Sequence, residues 1–137
     1  MTRPPGGRVL SHEQLVSHCR ALPGAWLDEP WEGDLVAKVG TKIFAFLGRP
    51  GPAGEALSVG LKCGRDAESA REWRDRHPGT VTVSAYIGRY GWNSFALDGA
   101  IPVEDVLDAV DASYQDVVSR LPRRVREGLG CPDGARS

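Results

Sequence analysis

Apolar residues recur along this chain with two different periods, and each change of period marks the edge of an element. Leu15, Val16, Cys19 and Leu22 fall at helical spacing and predict one apolar helix face. Ser11 and Gln14 in front of them have capping-box spacing, and Leu10 and Leu15 occupy the two positions of a hydrophobic staple. Pro23-Gly24 ends this helix. Trp26 to Gly33, mixed acidic and aromatic, suggests a short edge strand. The segments Asp34 to Val39 and Lys42 to Leu47 then turn β-rich, joined by Gly40-Thr41, a two-residue loop suited to a type II′ hairpin turn. With an unbroken register, Leu35, Ala37 and Val39 share a face with Phe44 and Phe46. Val36 and Lys38 share the other face with Ile43, Ala45 and Leu47.

A Pro/Gly loop, Arg49 to Glu55, separates this hairpin from a third strand in which Leu57, Val59 and Leu61 alternate with Ser58, Gly60 and Lys62. Asp66 to Arg76 predicts a short charged helix with Ala67, Ala70 and Trp73 inward, stopped by His77-Pro78-Gly79. Val81, Val83 and Ala85 alternate with polar residues in a further strand. A tight turn over residues 88–91 leads to a last strand, Trp92 to Leu97. Pro102 at a first helical position, with Glu104 and Asp105 behind it, opens a C-terminal helix in the sense the macrodipole favours. Its stripe runs through Val103, Val106, Leu107 and Val110, then Tyr114, Val117, Val118 and Leu121, with Ser113 as a candidate bend between two helices. Antiparallel strands with segregated helices give an α+β fold: a two-layer sandwich with the helices on one face of the sheet. The expected organisation is a flexible arm at 1–10, a single domain at 11–126 and a flexible tail at 127–137.

Composition adds boundaries. A chain of 137 residues, 41% hydrophobic, suffices for one domain with its own core. No apolar run nears the roughly 20 residues that span a bilayer. No apolar segment follows the charged N-terminus as in a secretory signal, so a cytoplasmic protein is expected, monomeric or weakly homodimeric. The three cysteines, Cys19, Cys63 and Cys131, lie far apart without a CxxC pair. The histidines add no zinc-site spacing, so reduced thiols are expected and no metal or other cofactor is implied.

Net charge is −1, but its distribution is uneven: six acids and no Lys or Arg lie between Asp98 and Asp116, then four arginines and no acid from Arg120 to Arg126. Phosphate-loop, nucleophile-elbow, zinc-protease and dinucleotide motifs are all missing, which points to a binding module and not to an enzyme; no catalytic residue is assigned. The acids Glu104, Asp105, Asp108 and Asp111 suit either a solvated helix face or a weak metal site. Gly88-Arg89-Tyr90-Gly91-Trp92-Asn93 sets a cation, two aromatics and an amide at a hairpin tip, where Arg89 can meet a phosphate while a ring stacks on a base. A core place for Trp92 is the plainer reading. Arg120, Arg123, Arg124 and Arg126 suit a nucleic-acid backbone or a simple helix C-terminus, and Lys38, Lys42 and Lys62 extend a basic strip.

In their order, several short motifs resemble the MmcQ/YjbR family of small bacterial proteins. They are Leu22-Pro23-Gly24, Lys38-Val39-Gly40-Thr41-Lys42-Ile43-Phe44-Ala45, Leu61-Lys62-Cys63, His77-Pro78-Gly79, Trp92-Asn93 with Leu97-Asp98-Gly99, and Ser113-Tyr114 with Leu121-Pro122. The resemblance covers about residues 11 to 126. It implies a CyaY/frataxin-like fold and a DNA-binding role, with DNA as the partner. Family members often carry an Asn, basic residues and a His before the Trp; Gly88, Arg89, Tyr90 and Gly91 stand there here, so only Arg89, Trp92 and Asn93 carry over. The expected DNA contacts are Lys62, Arg89, Tyr90, Trp92, Asn93, Arg123 and Arg124. The alternative is a protein- or small-ligand-binding module using an apolar sheet face around Val36, Ile43 and Ala45.

Overall fold

A computed structural model describes residues 10–30, 32–64, 67–84 and 90–129. The first helix, α1 (His12–Arg20), starts where the sequence predicts. Ser11 Oγ accepts from the Gln14 amide, the Gln14 side chain accepts from the Ser11 amide, and Leu10 and Leu15 are both buried. Leu10 therefore belongs to the fold: its carbonyl accepts from the Ala56 amide. The rest of the expected arm lies outside the described residues.

Strands β1 (Ala25–Asp28), β2 (Val36–Val39), β3 (Lys42–Phe46), β4 (Ser58–Lys62), β5 (Val81–Val83) and β6 (Trp92–Ala96) form one sheet in the order β1-β2-β3-β4-β6-β5, with every neighbouring pair antiparallel. Helices α2 (Ala67–Arg76) and α3 (Val103–Ser119) join α1 over the same face. Their apolar residues and the inward residues of the strands make one core built on Leu15, Phe44, Val59, Leu61, Phe95 and Val110. A short α4 (Arg123–Glu127) follows α3. The protein is thus an α+β sandwich with one sheet face covered by helices. Among the described residues no helix is long and apolar enough to cross a membrane.

The hairpin departs from the expected register at one point. Val39 pairs with Lys42 and Lys38 with Ile43, but Ala37 pairs with Ala45, so Phe44 is an extra residue on β3. Such a bulge puts two successive side chains on one side and flips everything beyond it. Phe44 and Ala45 are consequently both buried on the helix side, Phe44 edge-on to Tyr114 at 5.3 Å between ring centres, while Phe46 turns to the uncovered face. The sharing of a face by Phe44 and Phe46 is corrected, and so is the proposed apolar surface of Val36, Ile43 and Ala45: Ala45 sits in the core and Val36 is buried.

Smaller differences have similarly local causes. Leu57 lies one residue before β4, past the last rung (Ser58 with Ala96), and is 53% exposed although the alternation includes it. Val83 ends the edge strand β5 and is also exposed; Ala85 is outside the described residues. Pro102 is the N-cap of α3 with extended backbone, not its first helical residue. The helix runs unbroken through Ser113, which is buried and bonded across to the sheet where a bend was expected. At the C-terminus Glu127 still belongs to α4, and Leu129 packs against the core beside Gly24.

A candidate phosphate-binding cleft on the uncovered sheet face

Strand β3 pairs with β4 only through Ala45 with Leu61 and Phe46 with Gly60. The next rung would join Phe44 to Lys62. There the Ser113 hydroxyl is inserted instead, donating to the Phe44 carbonyl at 2.6 Å and accepting from the Lys62 amide at 3.0 Å. One side chain of α3 thus holds the two strands apart while satisfying both backbone groups, which would otherwise be buried without partners.

A cleft of about 500 Å³ opens at this parting, lined by Lys38, Thr41, Lys42, Ile43, Phe46, Lys62, Trp92, Val117 and Arg120. Its floor is aromatic: Phe46 and Trp92 meet edge to face at 5.2 Å between ring centres. Four cations from three distant stretches of sequence stand around that floor. Lys62 is the most enclosed, its side chain only 9% exposed. A lysine so placed needs partners. Its Nζ donates to the carbonyls of Gly64 (2.9 Å) and Tyr90 and lies 3.8 Å from an Asp116 carboxylate oxygen. Arg120, whose side chain is 42% exposed, pairs with the same Asp116 at 3.1 Å. Lys38 bonds Asp28 at 3.0 Å and lies over the ring of Trp26. That hydrogen bond is the main reason the Asp28 carboxyl is held below its ordinary range. Lys42, at the start of β3, is exposed to solvent. Four cations against two neighbouring carboxylates leave the rim positive in a chain that is slightly negative overall.

The residues expected to contact DNA are not gathered as a set. Lys62 and Trp92 line the cleft; Tyr90, 51% exposed, lends its carbonyl to Lys62 at the rim. Asn93 is a correction: it is fully buried, donating to the Ala70 carbonyl at 2.9 Å and accepting from Arg74 at 2.8 Å, and so ties α2 to β6. Its neighbours in β6 face alternately, so Trp92 outward places Asn93 inward. Arg89 lies outside the described residues. Arg123 pairs with Glu127 at 2.9 Å on the exposed α4, and Arg126 donates to the Ser119 and Leu121 carbonyls at the end of α3, as a helix C-terminus favours. Arg124 is exposed on the same short helix. This helix flanks the β2–β3 turn, because Leu121 and Val125 stand closest to Gly40. Lys38, Lys42 and Arg120, read from sequence as outlying members of basic clusters, prove central. Phe46 was missed because the bulge cannot be read from the apolar pattern, and Asp116 because nothing in its sequence neighbourhood points to Lys62.

A second depression of about 510 Å³ also borders Phe46, among Asp34, Leu35, Ser58, Gly60, Thr82, Val83, Ser84 and Ser94. Among the described residues no three His, Cys, Asp or Glu side chains converge to hold a metal; Glu104, Asp105 and Asp108 are a solvated face of α3.

With this geometry in view, the comparisons are consistent with one another. Residues 20–116 match the family model described as YjbR. The uncharacterized protein YjbR of Escherichia coli K12 is 31% identical over 122 residues, covering 85% of this chain and 94% of that protein, and its O157:H7 counterpart matches equally. Among solved structures, Deinococcus radiodurans protein DR2400, of domain DUF419, aligns with a TM-score of 0.76 at 25% identity over 93% of this chain and 94% of that one. A Pseudomonas syringae protein shares the fold at a TM-score of 0.57 and 16% identity, over 75% of this chain and 95% of that one.

Proposed function

The chain belongs to the YjbR family, and from that premise we propose that it is a non-catalytic DNA-binding protein whose phosphate contacts are made at the cleft between β3 and β4. The observation that carries this reading is the convergence of Lys38, Lys42, Lys62 and Arg120 around an aromatic floor. Cations from separate strands and a helix gather there although the net charge of the chain gives them no general field. Lys42 and Arg120 extend into solvent and make the direct phosphate contacts. Lys62, fixed by two carbonyls and Asp116, acts through its charge in the wall. Arg124 on α4 and Tyr90 at the rim are secondary contacts.

Affinity should then fall steeply as salt rises, because each engaged phosphate releases counterions. With three or four phosphates held, the loss is on the order of tens-fold between about 50 and 200 mM salt. Titration of labelled duplex and single-stranded DNA at both concentrations tests this. Absence of binding to either at the lower salt removes the proposal.

A further inference from the structure

Resting on that reading, we infer that the cleft takes an unpaired DNA strand, one nucleotide entering it and the neighbouring backbone crossing the uncovered sheet face. Duplex DNA is read by convex elements, a helix or β-ribbon that enters a groove about 12 Å wide. This site is the reverse. Its cations surround a concavity lined by Trp92 against Phe46, beside the point where Ser113 stands between β3 and β4. A paired base cannot leave its stack to reach such a floor without the cost of unpairing, whereas an unpaired base stacks there freely.

The second depression supplies the continuation. Phe46 lines both hollows, so they adjoin at that ring and one strand can pass from one to the other. Beyond it the lining combines Ser58, Gly60, Thr82, Ser84 and Ser94 with Leu35, Val83 and one carboxylate, Asp34. The short side chains among these let a sugar–phosphate backbone lie close to the sheet, and their hydroxyls donate to phosphate oxygens. At Gly60 a Cβ would stand 3.1 Å from the Phe46 side chain, so a larger residue would crowd the ring where the two hollows adjoin. The cationic pit at one end fits the phosphate beside the inserted base, and the serine and threonine hydroxyls fit the next units on the side away from the Asp34 carboxylate, which a phosphate avoids.

Fluorescence anisotropy at about 50 mM salt with a labelled oligothymidylate and a hairpin duplex of equal nucleotide count decides the matter. The expected result is at least tenfold tighter binding of the unpaired strand, with a several-fold loss for Thr82→Glu, an exposed edge-strand change, and for Trp92→Phe, which keeps a ring in place and narrows the stacking surface. Equal or tighter binding of the duplex overturns the inference and leaves DNA binding at the cleft standing. Binding of neither overturns both. Unchanged affinity in Thr82→Glu overturns the track across the sheet.

Discussion

Ser113 shows how far one side chain can determine a site. Its hydroxyl takes the place of a ladder rung, and the opening beside it becomes the cleft. Ser113→Ala strands the Lys62 amide and the Phe44 carbonyl in a buried setting, for which a loss of about 1–3 kcal/mol is expected in urea unfolding. If the strands instead close and pair directly, stability is retained and the cleft disappears, so oligonucleotide affinity measured alongside separates the outcomes. Asn93 illustrates the opposite lesson, a polar residue adjacent to a binding motif yet wholly committed to the interior. The thiols are similarly inert. Burial, as the leading cause, pushes Cys19 up to about 12 and Cys63 up to about 11. Attack requires the thiolate. In a Cys131→Ser background, a disulfide reagent at pH 8 should therefore react with neither until the chain is unfolded. The sign for stability follows: the thiol contribution is complete below the ordinary value of 9.0 and is lost as pH rises through about 11 to 12. Rapid native labelling at pH 8 contradicts the burial.

At the scale of elements, the β2–β3 hairpin and the α3–α4 corner form one unit. Gly40 turns with φ +61, and a Cβ there would meet Leu121 and Val125 at 3.3 Å. Gly40→Ala combines left-handed strain of about 1–2 kcal/mol with crowding against those side chains, so its urea midpoint should fall clearly. A midpoint like that of the parent protein shows that the turn and α4 do not restrain each other. Helix α1 provides a comparison by a different mechanism. Ser11→Ala removes one arm of the capping box and is expected to cost about 1 kcal/mol without touching the cleft, leaving oligonucleotide affinity unchanged. The helical and strand signals were legible because they are local: capping spacing, alternation, and Gly or Pro at each end. The bulge at Phe44 was not, since both faces of the hairpin sequence are largely apolar and either register buries similar surface.

For the whole molecule, charge distribution and not net charge decides how it can meet an anion. Lys38, Lys42, Lys62 and Arg120 are separated by up to 82 positions yet share one hollow. Of the other arginines clustered in sequence, Arg123 and Arg126 are engaged on α3 and α4. Lys42→Glu and Arg120→Glu should each weaken DNA binding and reduce the log–log salt slope by roughly one, whereas Arg123→Glu, whose parent side chain pairs with Glu127, should change both little. A loss for Arg123→Glu alone would move the interface from the cleft to the C-terminal arginines.

The sequence by itself determined what neighbours in the chain can determine: the α+β class, the helix caps, the hairpin turn, the alternating inward residues and the family resemblance. Tertiary structure alone decided which cations converge, which aromatic faces outward and where the sheet parts. Those features depend on contacts between residues tens of positions apart, Ser113 with Phe44 and Lys62 above all, and on a single-residue bulge that reverses the faces of a strand. Local periodicity carries no record of either, because the free energy that selects them comes from packing and hydrogen bonding across the fold.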